Sequence, residues 1–298
     1  MLADDLLRPV AYLGRGNSAT VARLDPELGF AMLVPGPGYN EFGTAHNSYA
    51  PELPRERARV VFLGDSVTRR GRIVKGLLEL LPTAPIEWWN AGVESYNTEQ
   101  EVGWYKRYVE RLEPDLVVLT VHPNDLDGTT VMFVDAAGDM VRYRAGYPPL
   151  VVNGWLYRNS RLYRELTGVT TLGAARSGSP EAMQRTLVEF REYLAARGTE
   201  LFLFVMPWTK APERWNDWEL GRFQIVRKVV AESGAPWCDG ALELVECWNA
   251  GEPIDEMPGD TWHPSDELGR RFAQRLLDGM QASGVLDAVG ARVRARGD

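Results

Sequence analysis

Strand-length apolar runs alternate with segments of helical periodicity along most of this chain, and this alternation restricts its fold more than any other feature. The predicted strands cover residues 59–63, 86–90, 116–121, 201–206 and 236–238. The predicted helices between them cover residues 72–81, 98–112, 179–196 and 219–232. Crossovers of helix length join parallel strands, so the pattern predicts an α/β fold with a mostly parallel five-stranded sheet covered by helices on both faces.

Two helix starts carry recognisable capping signals. Thr98 with Glu101 three residues later fits a capping box, in which the two side chains exchange hydrogen bonds with the backbone of the first turn. Ser179 followed by Pro180 marks the start of the next helix, because serine caps and proline fits the first helical position.

Two segments fall outside the alternation. Residues 1–56 are rich in Gly, Pro and Asn, which predicts a loop-rich N-terminal extension with a few short strands that packs on the main domain. Residues 57–298 then form the main domain, with an insertion at about 126–179 after the third strand. A structureless connection of that length is unusual, so we expect the insertion to have structure of its own and to suit a lid on the substrate side.

Composition excludes several classes of protein. The chain has 298 residues, 45% of them hydrophobic, enough for a large core. A net charge of −8 argues against a nucleic acid or an anionic membrane as the main partner. The N-terminus lacks the basic and apolar regions of a signal peptide, and no apolar run reaches the roughly 20 residues of a membrane span, so we expect a cytoplasmic protein. Cys238 and Cys247 are too few for a disulfide framework or a four-ligand zinc site, and we expect free thiols.

A serine stands at the turn that follows the first strand. The apolar run ends at Gly64, and Asp65 and Ser66 lead into the next helical segment. A serine there lies at the carboxyl end of a parallel strand and close to a helix N-terminus, where backbone N–H groups can face an oxyanion. Ser66 is therefore a candidate nucleophile, although Gly-Asp-Ser is also ordinary turn and N-cap chemistry.

One of the three histidines has an aspartate three residues before it. The carboxylate of Asp260 can reach the imidazole of His263, fix its tautomer and leave the other nitrogen free to accept a proton from a serine. The alternative is that Asp260 caps a turn and His263 is a surface loop residue. Because this loop and Ser66 are both expected at the carboxyl edge of the sheet, the two signals together favour a serine hydrolase.

Two further loops at that edge offer hydrogen-bond donors for an oxyanion. Gly92 follows the second strand and can present its backbone N–H closely, because it has no Cβ. Asn124 follows the third strand and can present a side-chain amide. A turn glycine and a loop-capping asparagine are the ordinary alternatives.

These residues belong to four ordered blocks that resemble the SGNH hydrolases, the GDSL-type lipase and esterase family. The blocks are Gly64-Asp65-Ser66 with Thr68, Asn90-Ala91-Gly92, Pro123-Asn124-Asp125, and Asp260-Thr261-Trp262-His263-Pro264. The resemblance spans about residues 59–277. It implies Ser66 as nucleophile, His263 as base, Asp260 as its orienter, and an oxyanion hole made by Gly92, Asn124 and the Ser66 N–H. It also implies a flavodoxin-like three-layer α/β/α fold without metal or organic cofactor, and ester hydrolysis, sugar deacetylation or, in some branches, acyl transfer.

The chain departs from the family pattern at His122, where the family usually has glycine two residues before the asparagine. His122 is therefore either a substrate-pocket residue or a strand-end histidine. Val67 replaces a leucine at a variable apolar position and leaves the assignment intact. The Gly-x-Ser-x-Gly elbow of α/β-hydrolases is absent around Ser66, which weighs against that other serine-hydrolase fold.

Two more side chains are candidates for the substrate pocket. Trp262 is next to His263 and could stack on a sugar or an acyl group. Arg69, with Arg70 and Arg72, closely follows the nucleophile and could meet an anionic substrate, the alternative being a solvated helix start.

The leading hypothesis is a serine esterase that hydrolyses a carboxylic ester, such as an O-acetyl ester of a sugar or small metabolite, through an acyl-enzyme on Ser66. The second is an acyltransferase to a sugar or natural-product hydroxyl, which the extension and the insertion would suit because a lid that excludes water favours transfer. The third is a binding module without activity, suggested only by His122. The expected partner is a small-molecule ester, and the oligomeric state stays open.

Overall fold

The computed structural model describes residues 11–14, 22–25, 27–49, 57–134, 140–144, 160 and 178–297. Contacts within the chain define two compact units. The first unit combines the N-terminal residues up to Gly43 with Asp127–Ser179, and the second combines Thr44–Leu126 with Pro180–Asp298.

Short antiparallel strands make up the described part of the first unit. β1 (Ala11–Gly14), β8 (Met140–Arg144) and β7 (Thr130–Val134) form one sheet in the order β1-β8-β7. β2 (Ala22–Asp25) and β3 (Gly29–Met32) form a hairpin. The N-terminal extension and the insertion after the third predicted strand thus share one sheet. Residues 135–139, 145–159 and 161–177 of the insertion lie outside the described residues, so its role as a lid stays a prediction, as does the packing of residues 1–56 on the main domain.

The second unit is built on a parallel five-stranded sheet. Its strands are β4 (Ala58–Leu63), β5 (Ile86–Asn90), β6 (Leu116–Val121), β9 (Glu200–Val205) and β10 (Trp237–Asp239). They are hydrogen-bonded in the order β10-β9-β6-β4-β5, and every neighbouring pair is parallel. If these five strands are numbered 1 to 5 in chain order, their order across the sheet from β5 to β10 is 2-1-3-4-5, the arrangement of flavodoxin-like folds. The predicted fold class is confirmed, and each predicted strand agrees with the observed one to within one residue at either end.

Eight α-helices connect and cover these strands in the described residues. They are α1 (Ser66–Arg69), α2 (Arg72–Leu80), α3 (Thr98–Arg107), α4 (Pro180–Ala195), α5 (Asp217–Glu232), α6 (Ala241–Asn249), α7 (Asp266–Ala282) and α8 (Val285–Gly297). Helices α2, α6, α7 and α8 share one apolar cluster with the sheet. On the opposite face, α4 packs against α3, α5 and β9, and α5 also packs on β9. The result is the three-layer α/β/α architecture.

Successive side chains of each buried strand point to opposite faces of the sheet. All six residues of β4 are buried. Val60 and Phe62 belong to the cluster beneath α2 and α7, whereas the intervening Val61 and Leu63 are directed to the other face. A strand buried on both faces needs apolar side chains on both, which is why residues 60–63 read as a continuous hydrophobic run. The charged residue of β4, Arg59, is buried in an ion pair with Glu87 at 2.9 Å.

The capping prediction for α3 is wrong by one residue. Asn97 is the N-cap, its Oδ1 accepts from the Gln100 N–H at 3.1 Å, and Gln100 Oε1 accepts from the Asn97 N–H at 3.3 Å. Both residue pairs satisfy the capping-box pattern, so the sequence alone does not choose between them. Glu101, expected to reach back to the cap, is 1% exposed and directed into the protein. The helix ends at Arg107, and a 3-10 turn over Val109–Leu112 completes the predicted segment.

The two cysteines agree with expectation. Cys238 and Cys247 are free and buried. Among the described residues, no helix combines the length and the apolar character that crossing a bilayer requires.

Two adjacent leucines of α2 provide a test of this packing. Leu77 is fully buried, whereas Leu78 is 45% exposed. We expect Leu77→Ala to lower the free energy of unfolding by about 2–5 kcal/mol, because it removes apolar contacts and leaves a cavity. Leu78→Ala should change it by no more than about 0.5 kcal/mol. Urea denaturation of both variants measures this difference, and equal losses would contradict the observed helix face.

Candidate active site

Ser66 is the first residue of α1, directly beyond the carboxyl end of β4. Gly64 precedes it with φ +151, and a Cβ at that position would come within 2.1 Å of Thr68 Oγ1, so only glycine fits the turn. Asp65 is the N-cap of α1, and its Oδ1 accepts from the Val67 N–H at 2.9 Å. The Ser66 N–H stands at a helix position that has no partner within its own helix.

Ser66, His263 and Asp260 form one continuous hydrogen-bonded chain. Ser66 Oγ lies 2.9 Å from His263 Nε2, and His263 Nδ1 lies 2.8 Å from Asp260 Oδ2. The other carboxylate oxygen of Asp260 accepts from the N–H groups of Trp262 at 2.9 Å and His263 at 3.2 Å. Asp260 therefore caps the turn of this loop with one carboxylate oxygen and orients the imidazole of His263 with the other.

The protonation states in this chain follow from its hydrogen bonds. Burial raises the pKa of Asp260, but the hydrogen bonds from the Trp262 N–H and from His263 outweigh it, and the net pKa lies below the usual value. An ionised Asp260 only accepts, so His263 Nδ1 carries the proton and donates it. Nε2 then presents a lone pair to the Ser66 hydroxyl, which is the arrangement a general base needs.

Ion pairs connect the loop of His263 to the segment that follows Ser66. Arg72, at the start of α2, donates to Glu256 at 2.8 Å and also pairs with Asp266 at the start of α7. Arg70 lies 3.6 Å from the same Glu256. The Glu256 N–H donates to the His263 carbonyl at 2.9 Å. Arg70 and Arg72 thus link two parts of the site through Glu256, and their binding of an anionic substrate stays a prediction.

Gly92 packs its backbone directly on α1. A Cβ there would lie 2.4 Å from the Arg69 nitrogen and 2.8 Å from the Thr68 carbonyl carbon, so the close approach requires glycine. The Gly92 N–H donates to Asn90 Oδ1 at 3.0 Å, and Asn90 Nδ2 donates to the Thr68 carbonyl at 2.7 Å. Asn90 therefore connects the Gly92 loop to α1. It also accepts a hydrogen bond from the Gly92 N–H, the group that the sequence motif predicts for the oxyanion hole.

Asn124 follows β6 in a 3-10 turn, and its side chain reaches the turn of the nucleophile. Its Nδ2 donates to Asp65 Oδ2 at 2.8 Å, and its Oδ1 lies 2.8 Å from His122 Nδ1. One N–H bond of the Asn124 amide remains for another acceptor. Asp65 belongs to the Gly64-Asp65-Ser66 motif, but the sequence analysis predicted no function for it. Its position immediately before Ser66 was the one signal that could have indicated this role.

His122 lies directly after β6 and is 1% exposed. Its ring packs against Trp208, with ring centroids 4.8 Å apart, and against Trp262 at 5.4 Å. Burial lowers the pKa of His122 to about 4, so the ring is neutral at physiological pH. This placement matches the strand-end alternative, and a direct contact with substrate stays a prediction.

The other two pocket candidates are more accessible. Trp262 is 36% exposed and contacts Trp208 at a centroid distance of 4.8 Å. Trp208 in turn lies 6.0 Å from Trp218, which is 52% exposed. Trp262 and Trp218 thus both pack on Trp208, which is itself 2% exposed. Arg69 is half-buried, and its role toward a substrate stays a prediction.

Within the described part of the chain, one group of side chains has metal-ligating geometry. Donor atoms of Glu256, Asp260 and His263 lie within 4.8 Å of one another. Asp260 and His263 are already bonded to each other, and Glu256 is paired with Arg72.

Two buried carboxyl groups near Asp65 were not recognised from the sequence. Asp125 Oδ2 accepts from the His122 N–H at 3.1 Å and from Thr98 Oγ1 at 3.3 Å. Burial, together with the charges of Asp125 and Asp65, raises the pKa of Glu101 well above its usual range. Burial and Asp65 do the same to the pKa of Asp125. Glu101 carries no sequence signal of burial, because glutamate in a helix normally faces water.

Comparison with protein-family models and with curated proteins gives no match. Among solved structures, the chain is similar to LAE5, an alpha/beta hydrolase enzyme from the metagenome of Lake Arreo, Spain, at 16% identity and a TM-score of 0.50, covering 76% of this chain and 98% of that one. It is also similar to Axe2, an acetylxylan esterase from Geobacillus stearothermophilus, at 14% identity and a TM-score of 0.48, covering 76% and 96%. At 16% identity, the likeness to LAE5 shows a shared fold alone.

The buried acid gives a prediction with a definite sign. A carboxyl group whose folded pKa is raised contributes full stability below its unfolded pKa, about 4.3 for glutamate, and loses it as the pH rises. Glu101→Gln removes that loss. We expect the variant to have a higher Tm than the wild type at pH 7, by about 2–4 °C for each kcal/mol of stability that ionisation costs the wild type, and an equal Tm near pH 4.

Calorimetry across pH 4–8 measures the effect. Glu192→Gln on α4 is the control, because that side chain is 67% exposed and its replacement should leave the pH dependence unchanged. A Glu101→Gln variant that is less stable than the wild type at pH 7 would contradict the assignment.

Proposed function

We propose that this chain is a serine esterase of the SGNH type that hydrolyses a carboxylic ester through an acyl-enzyme on Ser66. The observation that carries the proposal is the chain from Ser66 Oγ to His263 Nε2 and from His263 Nδ1 to Asp260, with distances of 2.9 and 2.8 Å. The fold shared with solved hydrolases agrees with it. A nucleophile, a base within hydrogen-bond reach and a group that orients the base are the parts that acyl transfer to serine requires.

The reaction has two steps. Ser66 Oγ attacks the ester carbonyl while its proton moves to His263 Nε2, and the resulting imidazolium is stabilised by Asp260. The C–O bond to the alcohol then breaks, and Nε2 returns the proton to the departing alkoxide. In the second step a water molecule gives its proton to Nε2 and attacks the acyl-enzyme, and the Ser66 oxygen leaves with that proton.

The oxyanion of each tetrahedral intermediate needs donors beside Ser66. We assign the Ser66 N–H and the remaining amide N–H of Asn124, and Gly92 contributes once its N–H turns from Asn90 Oδ1 toward the oxyanion. One such donor typically lowers the barrier by about 3 kcal/mol.

The substrate group that this site would hold is an acyl ester of a sugar or small metabolite. An exposed indole beside the catalytic histidine offers a flat apolar surface of the kind that packs against a sugar ring or an acyl chain. Trp262 has this position and exposure. Acyl transfer, the alternative, was motivated by the insertion, most of which lies outside the described residues, so hydrolysis is the function proposed.

Replacement of the nucleophile tests the mechanism. Wild-type protein should turn over p-nitrophenyl acetate and be labelled at Ser66 by a fluorophosphonate. Ser66→Ala should lower kcat by at least about 10⁴-fold and abolish labelling, because the covalent step is lost. Ser283→Ala, at the exposed end of α7, is the matched control. No turnover and no labelling of the wild type would refute the proposed function.

Removal of the exposed indole tests the substrate surface. Trp262→Ala should raise KM for an acetylated oligosaccharide by about tenfold, the magnitude of a lost stacking contact, and change kcat/KM for p-nitrophenyl acetate much less. Trp248→Ala, an indole of similar exposure on α6, should leave both constants unchanged. Equal effects on the two substrates would argue against a surface for the sugar.

A further inference from the structure

We propose that His122 is a positioning residue, whose Nδ1–H holds the Asn124 amide in the one orientation that leaves an N–H bond available to the oxyanion. The inference rests on the proposed esterase function and names a residue through which its oxyanion hole works. His122 would not touch the substrate; it would act through Asn124.

The Asn124 amide is held at both ends. Its Nδ2 donates to Asp65 Oδ2 at 2.8 Å, and its Oδ1 lies 2.8 Å from His122 Nδ1. If the amide were flipped, its oxygen would face the Asp65 carboxylate, which only accepts. That contact would become repulsive, so Asp65 sets the amide orientation in which Oδ1 faces His122.

The tautomer of His122 follows from this contact. The oxygen of an amide cannot donate, so the short contact requires a hydrogen on Nδ1. The Asn124 backbone N–H is also near Nδ1, at 3.3 Å, and would need a lone pair there. A single neutral nitrogen cannot serve both, and the shorter contact, to an atom that can only accept, decides in favour of Nδ1–H.

The surroundings of His122 suit a neutral ring with its hydrogen on Nδ1. Within the described residues, Nε2 is buried without a hydrogen-bond partner. A proton on Nε2 would be an unsatisfied buried donor, whereas a bare lone pair is more easily tolerated. Trp208 and Trp262 confine the ring, and the His122 backbone N–H is anchored to Asp125 at 3.1 Å. The ring is therefore fixed in position as well as in tautomer.

The contacts of Asp65 and His122 with the Asn124 amide, called the clamp here, also couple this oxyanion donor to the nucleophile Ser66. Asp65 binds Asn124 through one carboxylate oxygen and caps the helix of Ser66 through the other. His122 braces the amide from the opposite side. Displacements of a reacting group by about 1 Å are costly in catalysis, so a loose amide would weaken the transition state without changing how the substrate binds.

Three substitutions of His122 separate positioning from packing. His122→Ala should lower kcat for p-nitrophenyl acetate by about tenfold, with KM within about twofold, since only transition-state stabilisation is lost. His122→Asn places an amide nitrogen where Nδ1 lies and should recover most of the activity. His122→Gln carries its amide one bond further and should not. Equal recovery by both amides, or a loss that appears in KM alone, would overturn the proposal.

A double-mutant cycle shows whether His122 acts through Asn124. In an Asn124→Ala background, His122→Ala should change kcat by less than about twofold, because the group being positioned is already absent. Independent losses that multiply in the double variant would refute the proposed route.

A measurement that needs no activity separates this inference from the proposed function. Nitrogen-15 NMR of the histidine rings should show His122 with its hydrogen on Nδ1 from pH 6 to 8, and Asn124→Ala should abolish that fixed tautomer. A hydrogen on Nε2 in the wild type would refute the clamp even in an active enzyme. A wild type that neither turns over ester nor reacts with fluorophosphonate would refute the esterase while the NMR result still decides the clamp.

Discussion

Parallel strands end at a common edge, and the candidate site depends on this constraint. Ser66 follows β4, Gly92 follows β5 and Asn124 follows β6, which are neighbours in the sheet although the residues are far apart in the chain. The sheet itself is rigid because its strands are buried on both faces. The chemistry can therefore be placed on loops while its geometry is set by the core.

Polar contacts also connect the loops of the candidate site to the segment around Ser66. Asn90 links the Gly92 loop to Thr68, and Asp65 binds the Asn124 amide. The loop of His263 is joined to the start of α2 through Arg72 and Glu256. Such contacts stabilise less than the apolar core, but they define distances to a fraction of an ångström, which is what hydrogen-bonded catalytic groups require.

Local patterns predicted the strands and helices closely. Ser66, Asp260 and His263 were predicted because each stands in a short motif with its own chemistry, and the structure brings these three together. The cap of α3 was misplaced because Asn97 and Thr98 start overlapping patterns that local sequence cannot separate. Glu101 escaped notice for a related reason: nothing local distinguishes a helical glutamate that faces water from one that faces a buried Asp125.

The sequence by itself determined the order of strands and helices along the chain, the α/β class with a parallel sheet and the residue types available for chemistry, because periodicity and short motifs are local properties. Only the tertiary structure decided which polar groups meet. The engagement of the Gly92 N–H by Asn90 and the contact of His122 with the Asn124 amide arise between separate side chains whose distances depend on packing. Hydrogen bonds are short-ranged and directional, so they cannot be assigned until the core has set the backbone.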